Sequence, residues 1–290
     1  NADSSDASWS GNAIRFPRIQ GADVCGKVVA VGEQVDAGFL NNRILVEPCI
    51  REARGRILDQ PWYFGSECDG GFAEYTVVSA RHAYKITSEL SDLELASFPC
   101  SYSTAENLLA RAKVSADDVV LVTGASGGVG TAVIQLAKAR GAWVIGITSL
   151  SKAHRILSLG ADRTLERDAS PMQELGASSV DVVIDLVAGK QWPGFLDVLK
   201  PFGRYAVAGA IAGPLVELDV RTLYLKDLSL LGCPVLGETV FSNLIEHIES
   251  GKVSPVVANI FSLPEVPEAQ EQFEKKGHIG KLVIEISGES

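Results

Sequence analysis

Residues 120–130 read VLVTGASGGVG. An apolar run, DVVLVT (118–123), empties into a glycine loop. The loop opens onto GTAVIQLAKARG (130–141), whose apolar residues at 133, 134, 136 and 137 suit a helix that Gly141 closes. Working outward, WVIGIT (143–148) reads as the next strand. SKAHRILSLG (151–160) reads as a helix with Ser151 as its cap and Gly160 as its stop. RTL (163–165), VDVVIDLV (180–187), RYAVAGA (204–210) and LSLLGC (228–233) continue the strands. Apolar strands separated by helices predict a parallel sheet covered on both faces. The flanks differ. Residues 13–100 hold short β-rich pieces, GKVVAVG, RILVEPCI, GGFAEYTVV and AYKIT, with glycine and proline punctuation. After residue 236 come one helix, TVFSNLIEHIESGKV, and a closing strand, GKLVIEI. The chain therefore reads as α/β, with a doubly wound parallel sheet (105–236) inserted in a β-rich domain formed by 1–104 and 237–290.

A phosphate approaches a backbone closely only where side chains are absent, and the amides of a following helix N-terminus then point at the anion. ASGGVG (125–130) provides this with Gly127, Gly128 and Gly130, with Val129 between the last two and the Ser126 hydroxyl as a further donor. Lying between a strand and a helix, the loop predicts dinucleotide binding rather than a turn that merely allows tight packing.

Bulk properties narrow the partners. The chain has 290 residues, is 46% hydrophobic and carries a formal net charge of -10, which argues against nucleic acid or an anionic membrane surface as main partners. No apolar run reaches the length of a membrane span. The opening NADSSDASWSGN lacks the regions of a signal peptide. Five scattered cysteines, an odd number, suit reduced thiols in the cytoplasm.

TGASGGVG also fits the loop of short-chain dehydrogenases. That family normally has it near the N-terminus and uses a Tyr with a Lys four residues on. None of the six tyrosines here has that lysine. FPRIQGADVCGKVVAVGEQV (16–35) instead resembles the medium-chain dehydrogenases/reductases, whose zinc-dependent members show GHExxGxxxxxGxxV. Gly21, Gly26, Gly32 and Val35 fit that spacing. GGFAEYTVV, SGGVGTAVIQLAKARGA, LKPFGRYAVAGA and GKLVIEI extend the likeness over nearly the whole chain. The resemblance implies a GroES-like catalytic domain beside a Rossmann domain, hydride transfer involving a nicotinamide in the cleft, and a homodimer formed through the last Rossmann strand, here LSLLGC. It also implies that Thr104 packs against the nicotinamide.

Two departures shape the expected chemistry. The zinc-binding His of the family falls on Ala22 and its Glu neighbour on Asp23; Cys100 falls where zinc members keep a Cys ligand, but one thiolate cannot hold a catalytic zinc. The four cysteines of the structural-zinc lobe are missing as well, so no metal is expected. Residues 1–104 are also shorter than the usual catalytic domain, and a preceding segment supplying the first barrel strands is expected. At the end of the second Rossmann strand, about 20 residues past the loop, NAD enzymes place an acid. Thr148–Ser149 stand there instead, followed by Lys152 and Arg155, while Arg167 lies where related quinone reductases have a Tyr beside the adenosine phosphate. Ser149, Lys152 and Arg167 predict NADP(H), the alternative being that Lys152 and Arg155 are a solvated helix face. Without zinc, positioned hydride delivery plus a proton source suits an activated C=C or a quinone. Tyr63 and Cys100 are the candidate catalytic residues, with Tyr63 alternatively packed with Trp62 and Phe64. The rival readings are a zinc-type alcohol dehydrogenase and a non-catalytic nucleotide-binding homologue.

Overall fold

A computed structural model of the chain describes residues 14–286; the acidic opening stretch lies outside them. They form two units, one made of residues 14–103, 235–251 and 255–286, the other of 104–234 with 252–254.

The β-rich unit opens with β1 (Cys25–Lys27), β2 (Arg43–Val46), β3 (Cys49–Ala53), β4 (Arg56–Tyr63) and β5 (Ala83–Lys85). Strands β1, β2 and β5 make one antiparallel sheet in that order, and β3 and β4 a hairpin that turns through Arg54 and Gly55. The buried Glu47 carboxylate binds the Arg51 guanidinium at 2.7 Å and lies 3.2 Å from His82 Nδ1. His82 Nε2 accepts from the backbone amides of Arg51 and Glu52, where the register of the hairpin shifts. A helical turn, α1 (Asp92–Leu95), starts with a Ser91–Glu94 capping box.

Two expectations need correction here. GGFAEYTVV is not a strand. The amides of Gly70, Gly71 and Phe72 bond the carbonyls of Ile19, Gly21 and Gln20, which ties the segment to a loop rather than to a ladder, and Tyr75 and Val77 face solvent. A strand needs a partner edge as well as an alternating sequence. Of GKVVAVG, only Gly26 and Lys27 are in β1.

The second unit starts within α2 (Pro99–Arg111), whose Ala105, Leu108 and Leu109 make a buried stripe. The sheet follows: β6 (Val119–Val122), α3 (Gly128–Ala139), β7 (Trp143–Thr148), α4 (Leu150–Ser158), β8 (Arg163–Glu166), α5 (Pro171–Leu175), β9 (Val180–Asp185), α6 (Trp192–Val198), β10 (Leu199–Val207), α7 (Val220–Leu225) and β11 (Ser229–Gly232). The six strands are parallel in the order β11–β10–β9–β6–β7–β8. This is the doubly wound Rossmann arrangement, and its strand order reverses between β6 and β9. Strands covered on both faces are apolar at every position, as in Val120–Leu121–Val122 and Val182–Val183–Ile184, all buried. Ser151 is not the cap of α4: Ser149 takes that position and Ser151 lies inside the helix, while Gly160, at φ +110, does stop it.

The chain returns to the β-rich unit with α8 (Val240–Glu249), then β12 (Val257–Ser262), α9 (Val266–Glu274) and β13 (Lys281–Glu285), the last strand lying parallel to β12. No described helix is long and apolar enough to cross a membrane.

Candidate active and cofactor site

In the Rossmann unit the candidate phosphate site is built by the turn from β6 into α3. Gly124 has a left-handed φ of +58, and the Gly127 amide donates to its carbonyl at 3.0 Å. Gly127 is the N-cap of α3 and has no side chain to cap it, so the amides of the first turn, at Gly128 and Val129, face no capping oxygen. A Cβ at Gly130 would fall on the Gly124 carbonyl oxygen and lie 2.7 Å from Ala125 Cα, so this glycine is what lets helix and loop close together. A Cβ at Gly127 would meet only that oxygen, at 3.5 Å. There the missing side chain leaves space in front of the helix. Ser126 is half-buried in the same turn. The loop therefore fits a dinucleotide pyrophosphate, an anion that needs close backbone approach and unclaimed amides.

At the neighbouring strand end, β7 finishes in Thr148, whose buried Oγ1 has no hydrogen-bond partner. Ser149 follows, its Oγ 3.3 Å from Ser151 Oγ. The half-buried Lys152 lies close enough to Arg167 to feel its charge. Burial first, and then the guanidinium, hold the Lys152 pKa below the ordinary lysine value. Arg155 and Arg167 are both exposed, and of the two it is Arg167 whose charge is felt at Lys152. Thr104 is half-buried on α2.

In the β-rich unit the strand alternation of β4 separates Tyr63 from its neighbours. Trp62 and Phe64 pack in one cluster with Ile44, Val46 and Ile50, whereas Tyr63 turns to Cys49, Leu236 and Val240. Its hydroxyl bonds the Cys49 thiol and lies near Cys100. Burial, reinforced by Cys49, raises its pKa above the usual tyrosine range, so the phenol keeps its proton. Burial likewise raises Cys49.

Around Cys100 the sequence reading missed a partner. Asp23 accepts from the Cys100 amide at 2.6 Å and binds the Lys281 ammonium at 2.7 Å. Burial works against the Lys281 charge, but the Asp23 carboxylate and the nearby Cys100 more than offset it, and the pKa is raised. The closing GKLVIEI, read only as a strand, therefore carries a cation beside the thiol. Nothing local signals this, because Lys281 is 258 residues from Asp23. Among the described residues, no three His, Cys, Asp or Glu side chains gather as a metal ion would require.

Residues 2–88 match the alcohol dehydrogenase GroES-like domain and residues 128–250 the zinc-binding dehydrogenase domain. A solved structure from Sinorhizobium meliloti 1021, assigned to the alcohol dehydrogenases, is 43% identical with a TM-score of 0.88, covering 94% of this chain and 77% of that one. The chain belongs to the medium-chain dehydrogenase/reductase superfamily. Within this superfamily it is similar to acryloyl-coenzyme A reductase of Metallosphaera sedula, 29% identical over 93% of this chain and 84% of the relative. It is also similar to quinone oxidoreductase of Lama guanicoe, 29% identical over 93% and 80%. These medium-chain relatives are oxidoreductases, and this chain is an oxidoreductase of the same superfamily.

Proposed function

We propose that the protein is an NADP(H)-dependent oxidoreductase that reduces an activated C=C, a quinone or a carbonyl without a catalytic zinc. The observation that carries the cofactor preference is that Lys152, in the first turn of α4 after β7, is near enough to Arg167, just after β8, for the guanidinium to disfavour its charge, a cost that an anion bound beside them would offset. Ser149, Lys152 and Arg167 are the proposed holders of the 2′-phosphate. Ser126, Gly127, Gly128 and Val129 are the proposed holders of the pyrophosphate, and Thr104 the support for the nicotinamide. When bound, NADPH supplies the hydride. Tyr63 holds its proton on a neutral phenol, which suits a hydrogen-bond donor to a substrate oxygen, while the raised pKa makes it a weak source of the proton itself.

The zinc-free reading rests on Ala22, which offers no lone pair, and on the Asp23–Lys281 pair beside Cys100, which already puts a cation at the thiol. The relatives named for an acryloyl thioester and for quinones support the substrate classes. The protein is further proposed to work in the cytoplasm, in keeping with five free cysteines, and to form a homodimer through β11. The test is turnover of NADPH and NADH against enones and quinones, with zinc content measured alongside. Zinc at one per chain, with activity lost to a chelator, would overturn the zinc-free reading in favour of an alcohol dehydrogenase. Cofactor binding without turnover of any member of the panel would favour a non-catalytic homologue.

A further inference from the structure

We propose that Asp185, with Thr123 and Tyr205, forms a positioning network that fixes the 186–189 loop against the glycine loop and so shapes the nicotinamide half of the cofactor site. This rests on the dinucleotide reading above. Asp185 ends β9 and Thr123 follows β6, so the two face each other across the point where the strand order reverses, the place at which this fold binds its ligand.

Asp185 is fully buried, yet every oxygen is used. Oδ1 accepts from Thr123 Oγ1 at 2.6 Å and from the amides of Val187 and Ala188 at 2.9 and 3.0 Å. Oδ2 accepts from the Tyr205 hydroxyl at 2.5 Å. Thr123 Oγ1 also accepts from the Leu186 amide at 2.8 Å, and so relays the loop to β6. Three consecutive loop amides thus converge on one carboxylate and one hydroxyl. They hold Ala188 in a left-handed conformation, φ 54, that an alanine adopts only under constraint. The loop in turn presses on the phosphate turn: a Cβ at Gly124 would lie 3.1 Å from Val187 Cγ2. Tyr205 is fixed from its other side by an edge contact with Trp192, ring centroids 5.7 Å apart. A buried carboxylate with four donors sets geometry rather than chemistry.

The test uses Thr123→Val, which keeps the side-chain shape and the backbone bond from the Thr123 amide to Ile184 but removes the relay, and Thr123→Ser, which keeps the hydroxyl. Dissociation constants are measured for NADPH, NADH, 2′,5′-ADP and AMP, with Tm as a control. The expected result is that Thr123→Val weakens both dinucleotides by about tenfold, the effect of leaving one buried donor unmet. The two adenosine-side fragments should stay within about twofold, and Thr123→Ser should restore dinucleotide binding. Fragments weakened as much as dinucleotides, or Thr123→Ser no better than Thr123→Val, would reduce the network to a structural role and overturn the proposal. So would unchanged dinucleotide affinity in Thr123→Val. The wild-type ratio of NADPH to NADH affinity tests the cofactor preference independently, because the loop contacts should affect both cofactors equally.

Discussion

The proposed cofactor preference rests on single residues, and it can be measured at one of them. Lys152 is half-buried, and both its burial and Arg167 disfavour its charge, so a phosphate that stabilises the charge gains more than it would at an exposed lysine. A charge-assisted contact contributes about 1.5–3 kcal/mol, roughly one to two decades in affinity. Lys152→Ala should weaken NADPH by that much and leave NADH nearly unchanged, read as dissociation constants by fluorescence titration. Equal losses would place Lys152 in the fold or at the pyrophosphate instead. A second residue-scale outcome concerns thiol reactivity. Burial, and then the Asp92 carboxylate whose Oδ1 lies 3.8 Å from Sγ, pushes Cys25 up to about 12. The thiolate is the reactive form, and a raised pKa keeps it scarce below that value. Alkylation of Cys25 at pH 8 should therefore be slow, rising about tenfold per pH unit until near pH 12. Asp92→Asn should speed it, since a carboxylate that disfavours the thiolate is gone. Peptide mapping after timed iodoacetamide exposure would show this, and rapid labelling at pH 8 would contradict it.

At the scale of elements, the turn from β6 into α3 separates fold from function within a single loop. Gly130→Ala puts a methyl onto the Gly124 carbonyl and the Ala125 backbone, neither of which can yield without moving α3 off the sheet. A loss of about 1–3 kcal/mol is expected, visible as a lower Tm. Gly127→Ala has ordinary contact distances and a φ of −77 open to any residue, so the fold should stand while a methyl fills the space before the helix N-terminus. Calorimetry and cofactor titration together should show Gly130→Ala losing both stability and binding, and Gly127→Ala losing binding alone. The same elements explain what was legible beforehand. The central strands declare themselves by their buried apolar runs, Val120–Val122 in β6, Val144–Ile145 in β7 and Val182–Ile184 in β9, and Gly141 and Gly160 end α3 and α4 by adopting φ values of +86 and +110. The three-residue β1 is too short for a periodicity to register, as are α5 and α7, whereas β5 lies where AYKIT reads as β-rich. GGFAEYTVV has the alternation without the partner edge, and VANIFS of β12 has the partner without a clean alternation, its middle residues being exposed. At the site, the glycine loop was legible because its contacts are local. The Thr123–Asp185 bond, across 62 residues, and the Asp23–Lys281 pair were not, because only the folded topology brings those groups together.

For the whole molecule, the question left by the fold is what covers β11. The strand pairs with β10 on one side and ends the described sheet on the other. Its sequence, SLLG, holds none of the lysines, prolines or inward charges by which solitary proteins guard a sheet edge. Apolar side chains lie exposed on the segments just before it, with Leu215 93% and Leu225 73% accessible and Ile211, Val220 and Tyr224 similar. Isolated exposed apolar residues are ordinary, but several on one stretch leading into an unguarded edge are a mark of an interface. A two-fold axis through β11 would pair the strand with its own copy in antiparallel fashion, join two six-stranded sheets and bury these side chains against each other, as an isologous contact does. Sedimentation of the complete protein at micromolar concentration should give twice the chain mass. Leu230→Lys sets a charge at the centre of the pairing strand, where the partner's copy of the same charge would face it. It should yield a monomer whose Tm changes little, because Leu230 is already 38% exposed within the single chain. A wild-type monomer, or a Leu230→Lys protein that still sediments as a dimer, would mean that β11 meets something other than itself.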